Sequence, residues 1–267
     1  HHLDVGGRAA GSISTDARDV FEEGLMIPPL KLYRRGVLFE EIFDLIASNI
    51  REPRKTLGDL RAQVAAVTVG ERRYLELAER HGAEPLAAIV AANLDNSERL
   101  MREDLRAYPN GRYAAEGFMD GDGISDTPVR IAVTVTVEDG DVTVDFTGSS
   151  PQVRGPFNCA LSSAYASVYC AVRYMVNPLI LQNEGCYRPI RVVLPERSIV
   201  KPVPPAPLSG RFHTLERIAN TIVMAFNQAR GTRAVGSGHA HLTSFSVSGR
   251  RPDVDTPSPR RMMRENA

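Results

Sequence analysis

Apolar positions along this chain recur with two different periods, and the change of period divides it. Between residues 39 and 50, Ile42, Phe43, Leu45 and Ile46 fall on one side of a helix. Leu57, Leu60, Val64, Val67, Leu75 and Ala78 keep helical spacing as far as Gly82, a residue suited to stop a helix. Thr56, with Asp59 three residues on, is the predicted N-cap of that helix. Leu86, Ile89, Val90, Leu94, Leu100 and Leu105 mark a second long helix over 85–107. So short a link between the two predicts an antiparallel helical hairpin over 54–107. Its charges, among them Glu98, Arg99, Arg102 and Glu103, read as a solvated face.

Beyond residue 110 the period falls to two. Residues 111–119 and 128–137 alternate apolar with polar, 138–141 form a turn, and 142–146 return as a strand. A Gly/Ser/Pro loop over 148–158 leads to an apolar helix at about 160–175, and a further strand is expected at 189–194. The four prolines within 201–209 exclude helix and inner strand there. Leu215, Ile218, Ala219, Ile222, Val223 and Phe226 share one stripe of a helix over 214–229. Lys31–Arg35 is a short basic strand candidate, and 251–267 carries no pattern for regular structure. The predicted fold class is α+β: a long antiparallel helical hairpin plus an antiparallel β-sheet with packed helices. The expected organisation is an irregular, site-lining segment over 1–36, a helical region over 37–108, an α+β region over 111–250, and a disordered tail over 251–267.

Composition narrows the function classes. At 43% hydrophobic and 24% charged residues, the chain has the make-up of a globular protein, and 267 residues suffice for a sizeable core. Its 32 basic and 32 acidic residues cancel, so no general charge bias favours nucleic acid or an anionic membrane. No apolar run reaches the roughly 20 residues that span a bilayer. Cys159, Cys170 and Cys186 form no CxxC pair, which fits free thiols in a reducing cytoplasm, the expected location.

Candidate chemistry is concentrated at the start. His1-His2-Leu3-Asp4-Val5-Gly6-Gly7 places two imidazoles and a carboxylate beside two glycines that let the backbone turn sharply. A remnant of a histidine tag is the competing reading of the pair. The loop Gly148–Asn158 can offer amides to an anion but lacks a phosphate-loop pattern, so a structural turn is the favoured reading. His239 and His241 share one face of a possible strand, and surface placement is the plainer reading. Cys186 has no neighbouring base and reads as a small buried hydrophobe. His81 and His213 read as helix-end or surface residues.

Several strings together resemble the hydantoinase B/oxoprolinase family. They are His1–Gly7, Glu23-Gly24-Leu25-Met26-Ile27-Pro28-Pro29 with Lys31–Gly36, Gly58–Gln63 with Val69–Arg73, Val144–Gly155, Asn183–Ile190 and Pro204–Pro207. The resemblance runs from residue 1 to about 250 in unbroken order. It implies part of an ATP-dependent cyclic-amide hydrolase of the 5-oxoprolinase or N-methylhydantoinase type, with ATP bound by a hydantoinase A-type partner subunit in a hetero-oligomer. It also implies a divalent metal of the Mn, Zn or Fe class. The family's metal ligands come from an upstream His-x-x-Asp and from the first His of His-x-x-Asp-x-Gly-Gly. The second string carries that role to His1, with His2 and Asp4 as neighbouring metal candidates. Asp4 and Lys31 are the candidate catalytic residues, and Lys31, Arg34 and Arg61 are candidates for anion or subunit contacts. The upstream ligands have no counterpart here, and family members are about twice this length. The chain is therefore expected to be a central portion, inactive by itself. Two alternatives stand beside this one: a subunit of an ATP-dependent acetone or acetophenone-type carboxylase, and a non-catalytic assembly module that docks a partner through the helical hairpin.

Overall fold

The structure is a computed structural model and describes residues 3–230, 234–236 and 238, together with the strands Phe245–Gly249 and Arg260–Arg264. Elements follow in the order β1 (Tyr33–Arg34), β2 (Val37–Leu38), α1 (Glu40–Ser48), α2 (Pro53–His81), α3 (Ala83–Leu105), β3 (Gly111–Met119), β4 (Val129–Glu138), β5 (Asp141–Asp145), α4 (Leu161–Met175), β6 (Ile190–Val193), α5 (Arg211–Arg230), β7 (Phe245–Gly249) and β8 (Arg260–Arg264). This is the α+β class that the two periods predict.

The centre is a four-stranded sheet in the order β3-β4-β5-β6. Strands β3, β4 and β5 form an antiparallel meander, in register from Gly111↔Val137 to Met119↔Val129 and from Thr134↔Asp145 to Glu138↔Asp141. One face is apolar because alternate residues point the same way. Ile131, Val133, Val135, Val137, Val142 and Val144 are buried there, in one core with residues of α4 and α5. Tyr108 closes an end of that core, its ring edge-on to Phe226 with centroids 5.5 Å apart.

Strand β6 differs from the expected all-antiparallel sheet. It runs parallel to β5, with Val142↔Ile190 through Asp145↔Val193 in register. Helix α4 lies between the two strands in sequence, and a crossover through a helix returns the chain in the same direction.

Both predicted long helices are present, with Gly82 alone between them at φ +87°, where side chains are strained. The expected N-cap at Thr56 is corrected: α2 begins at Pro53, three residues earlier. Proline lacks an N–H, so it suits the first helical position, where that donor has no intrahelical partner. Thr56 lies buried within the first turn instead.

The last turns of α3 join the core through Met101 and Leu105. A charged network ties them down: Arg102 pairs with Glu98 (2.9 Å) and Asp141, Arg106 with Asp139 (3.2 Å), and Arg188 with Asp95 (2.8 Å) and Glu98 (3.0 Å). Arg188 and Arg102 together hold the Glu98 carboxyl below its ordinary value. The basic strand candidate is the first half of the two-residue hairpin β1–β2. Of the tail expected to be disordered, 251–259 and 265–267 lie outside the described residues, and Arg260–Arg264 pairs with Phe245–Gly249.

Candidate functional site

Three irregular segments meet at the start of α5: residues 3–30, the loop 148–158 and the proline-rich stretch 201–210. Asp4 organises the first of them. Its Oδ1 accepts from the Gly6 N–H (3.1 Å) and the Ser12 hydroxyl (3.0 Å), and its Oδ2 accepts from the Gly11 N–H (2.7 Å). The Asp4 carbonyl accepts from the Thr56 hydroxyl (2.7 Å), which fixes this loop to the first turn of α2. Arg51 donates to the carbonyls of Gly7 and Arg8 (3.2 Å). Gly7 must be glycine: its φ is +82°, and a Cβ there would stand 2.4 Å from the Glu23 carbonyl carbon.

Glu23 then joins the first segment to the third. Both its carboxylate oxygens accept from the Leu208 N–H (2.7 and 2.8 Å), and Oε1 also accepts from the Ser209 N–H (2.7 Å). Ser209 returns a hydrogen bond to the Ser14 carbonyl (2.5 Å), and the Val20 N–H donates to the Pro205 carbonyl (2.8 Å). Nearby, Arg8 pairs with Asp16, which holds the Asp16 carboxyl below its usual range.

The middle loop is held by two side chains. The buried Asn158 amide donates to the carbonyls of Val153 (2.9 Å), Gly155 (3.0 Å) and Pro207 (3.0 Å). Asp122 accepts from the N–H groups of Ile124 (3.0 Å), Ser125 (2.7 Å) and Gly155 (3.0 Å). Burial pushes the Asp122 carboxyl up, but these donors outweigh it and leave it below its ordinary value. Five amides of the loop are engaged internally, those of Ser149, Ser150, Gln152, Val153 and Gly155. The loop is thus a structural turn, as its missing phosphate-loop pattern suggests.

The candidate residues are placed unevenly. Asp4 sits in the first of these segments, bonded to its own loop and to the first turn of α2, and its Oδ2 keeps an acceptor direction for another donor or a cation. His1 and His2 lie outside the described residues, as do His239 and His241. Lys31 is exposed and takes no part in the hydrogen bonds that converge here. Arg34 lies over the Phe39 ring at 5.3 Å, and Arg61 over Phe43 at 5.6 Å. No group of three His, Cys, Asp or Glu side chains converges among the described residues, so these alone do not complete a metal site. His213, in the first turn of α5, meets Phe157 edge-on at 5.4 Å. Cys159 and Cys186 are buried, and burial pushes the Cys159 thiol up to about 12, while Cys170 is exposed.

The hydantoinase B/oxoprolinase profile matches residues 1–265. The chain belongs to that family. It is 36% identical over 259 residues to a protein of Pseudomonas sp. (strain NS671) provisionally named as the B component of a D-/L-hydantoinase, covering 92% of this chain and 44% of that one. It is 30% identical over 256 residues to the beta chain of the Pseudomonas jessenii caprolactamase, covering 94% of this chain and 43% of that one. The crystal structure of the ATP-dependent caprolactamase from Pseudomonas jessenii superposes with a TM-score of 0.85 at 29% identity, over 95% of this chain and 44% of that one. A nucleotide-free acetone carboxylase structure shares the fold, with a TM-score of 0.77 at 20% identity over 86% of this chain and 33% of that one. The chain thus spans less than half the length of these relatives. No helix among the described residues is long and apolar enough to cross a membrane.

Proposed function

We propose that this chain is part of the B-type subunit of an ATP-dependent cyclic-amide hydrolase that works with a hydantoinase A-type subunit. The observation that carries the reading is the match of nearly the whole chain to an ATP-dependent caprolactamase, in fold and in sequence. In this reading ATP, held by the A-type subunit, activates the ring amide by phosphorylation of its oxygen, and the B portion supplies the other wall of the active site. His1 and Asp4, with His2 as their neighbour, would hold a divalent metal, which when bound would supply Lewis acidity toward the carbonyl or water. Asp4 suits the role because its remaining hydrogen bonds fix the carboxylate in place, as outer contacts do at metal sites.

The test is reconstitution of the protein, at the length of its relatives, with an A-type subunit. ADP release that depends on 5-oxoproline, a hydantoin or caprolactam is the expected result. His1→Ala should lower metal content and turnover together. This chain by itself should show neither activity. Bicarbonate-dependent carboxylation of a ketone, with no ring opening, would replace the proposal with the carboxylase reading.

A further inference from the structure

Six cations around α1 and the start of α2 have no ion-pair partner among the described residues. Lys31, Arg34, Arg35, Arg54, Lys55 and Arg61 are all exposed, and none of them joins a carboxylate there. Arg54 and Lys55 stand in the first turn of α2, which holds no acidic residue. A helix dipole is positive at that end, so two cations there oppose it. A local rule broken without a gain inside the element points to a demand from outside it.

Two of the six are held in place by rings. Arg34 lies over Phe39 and Arg61 over Phe43, and these two phenylalanines stand one turn apart on one side of α1. Arg54 precedes Arg61 by seven residues, two turns back on the same face of α2. Val37, at 69% of full exposure, is the cross-strand partner of Arg34 and shares its face of the hairpin. A ring covers the flat side of a guanidinium and leaves its in-plane fork of N–H donors free, the geometry that a carboxylate accepts with both oxygens. Backing of this kind also limits the side-chain entropy lost on binding.

We propose that Arg34 and Arg61 receive the carboxylates of an acidic segment on the A-type partner subunit. The proposal rests on the functional reading above, which supplies that partner, and charge complementarity selects it among the possible occupants. A second copy of this chain would bring the same cations face to face across a two-fold axis, which is repulsive. A small anion such as a nucleotide phosphate is held in a concave site, whereas Arg34, Arg61 and Val37 lie on an open surface. Arginine beside an exposed apolar side chain is the composition that protein interfaces favour.

The test is the affinity of the protein, at the length of its relatives, for its A-type subunit between about 0.05 and 0.5 M salt. The complex is expected to weaken as salt rises, and Arg34→Glu or Arg61→Glu should each weaken it roughly tenfold or more. Arg34→Lys keeps the charge without the fork and should fall between the wild type and Arg34→Glu. Arg80→Glu, exposed at the far end of α2, should leave the affinity unchanged. Circular dichroism and urea midpoints establish that each variant is folded. Wild-type affinity after both charge reversals are combined, or equal weakening by Arg80→Glu, would overturn the proposal. An intact complex with a raised KM for ATP would also overturn it and assign the two arginines to nucleotide phosphate. Failure of the unaltered subunits to associate would instead remove the functional reading, and this proposal with it.

Discussion

Asp4 directs three acceptor bonds at its own loop, so its loss is a structural event whatever it binds. Asp4→Ala would leave the Gly6 and Gly11 N–H groups and the Ser12 hydroxyl without this partner. A destabilisation of about 1–3 kcal/mol is expected in urea unfolding. Wild-type stability would remove Asp4 from its organising role. The thiols give a second residue-scale contrast. Cys159, buried and with its titration moved up to about 12, carries almost no thiolate near neutral pH, and Cys186 is also enclosed. One fast-reacting thiol, Cys170, is expected with a disulfide reagent, and the other two should react only on unfolding. Two fast thiols in the native protein would mean that the core around Cys159 or Cys186 opens.

At the scale of elements, what the sequence makes legible depends on how local the signal is. The stripe from Leu215 to Phe226 and the alternation from Val129 to Glu138 are repeated locally, and both predicted elements are present within a few residues. The early start of α2 was available in Pro53. The role of Thr56 was not, because its hydroxyl serves a carbonyl 52 positions away. The same limit applies to the parallel pairing of β6 and to the bonds from Glu23 and Asn158 that assemble the site, since no local pattern announces a partner so distant in sequence. One such contact gives a direct test. A Cβ added at Gly185 would stand 1.9 Å from the Leu94 carbonyl oxygen, so the short helical turn at Glu184–Tyr187 lies against the backbone of α3. Gly185→Ala should cost about 1–3 kcal/mol or more in thermal or urea unfolding, as overpacking does. A neutral effect would mean that α3 is free to shift away.

For the whole molecule, the order in which chain segments meet is unequal. The meander from Gly111 to Asp145 is built from neighbours in sequence, whereas Glu23 reaches Leu208 across 185 positions and Ser14 reaches Ser209 across 195. Closing so long a loop costs more chain entropy than closing a hairpin and brings only a few hydrogen bonds in return. The sheet can therefore form while the amino-terminal segment is still searching, and the clasp between Glu23 and the proline-rich stretch closes late. The same asymmetry operates in reverse. Mild denaturant or a brief local opening should release the segment that carries Asp4 while β3, β4 and β5 stay paired. Ligand capacity would then fade before the spectroscopic signature of the fold.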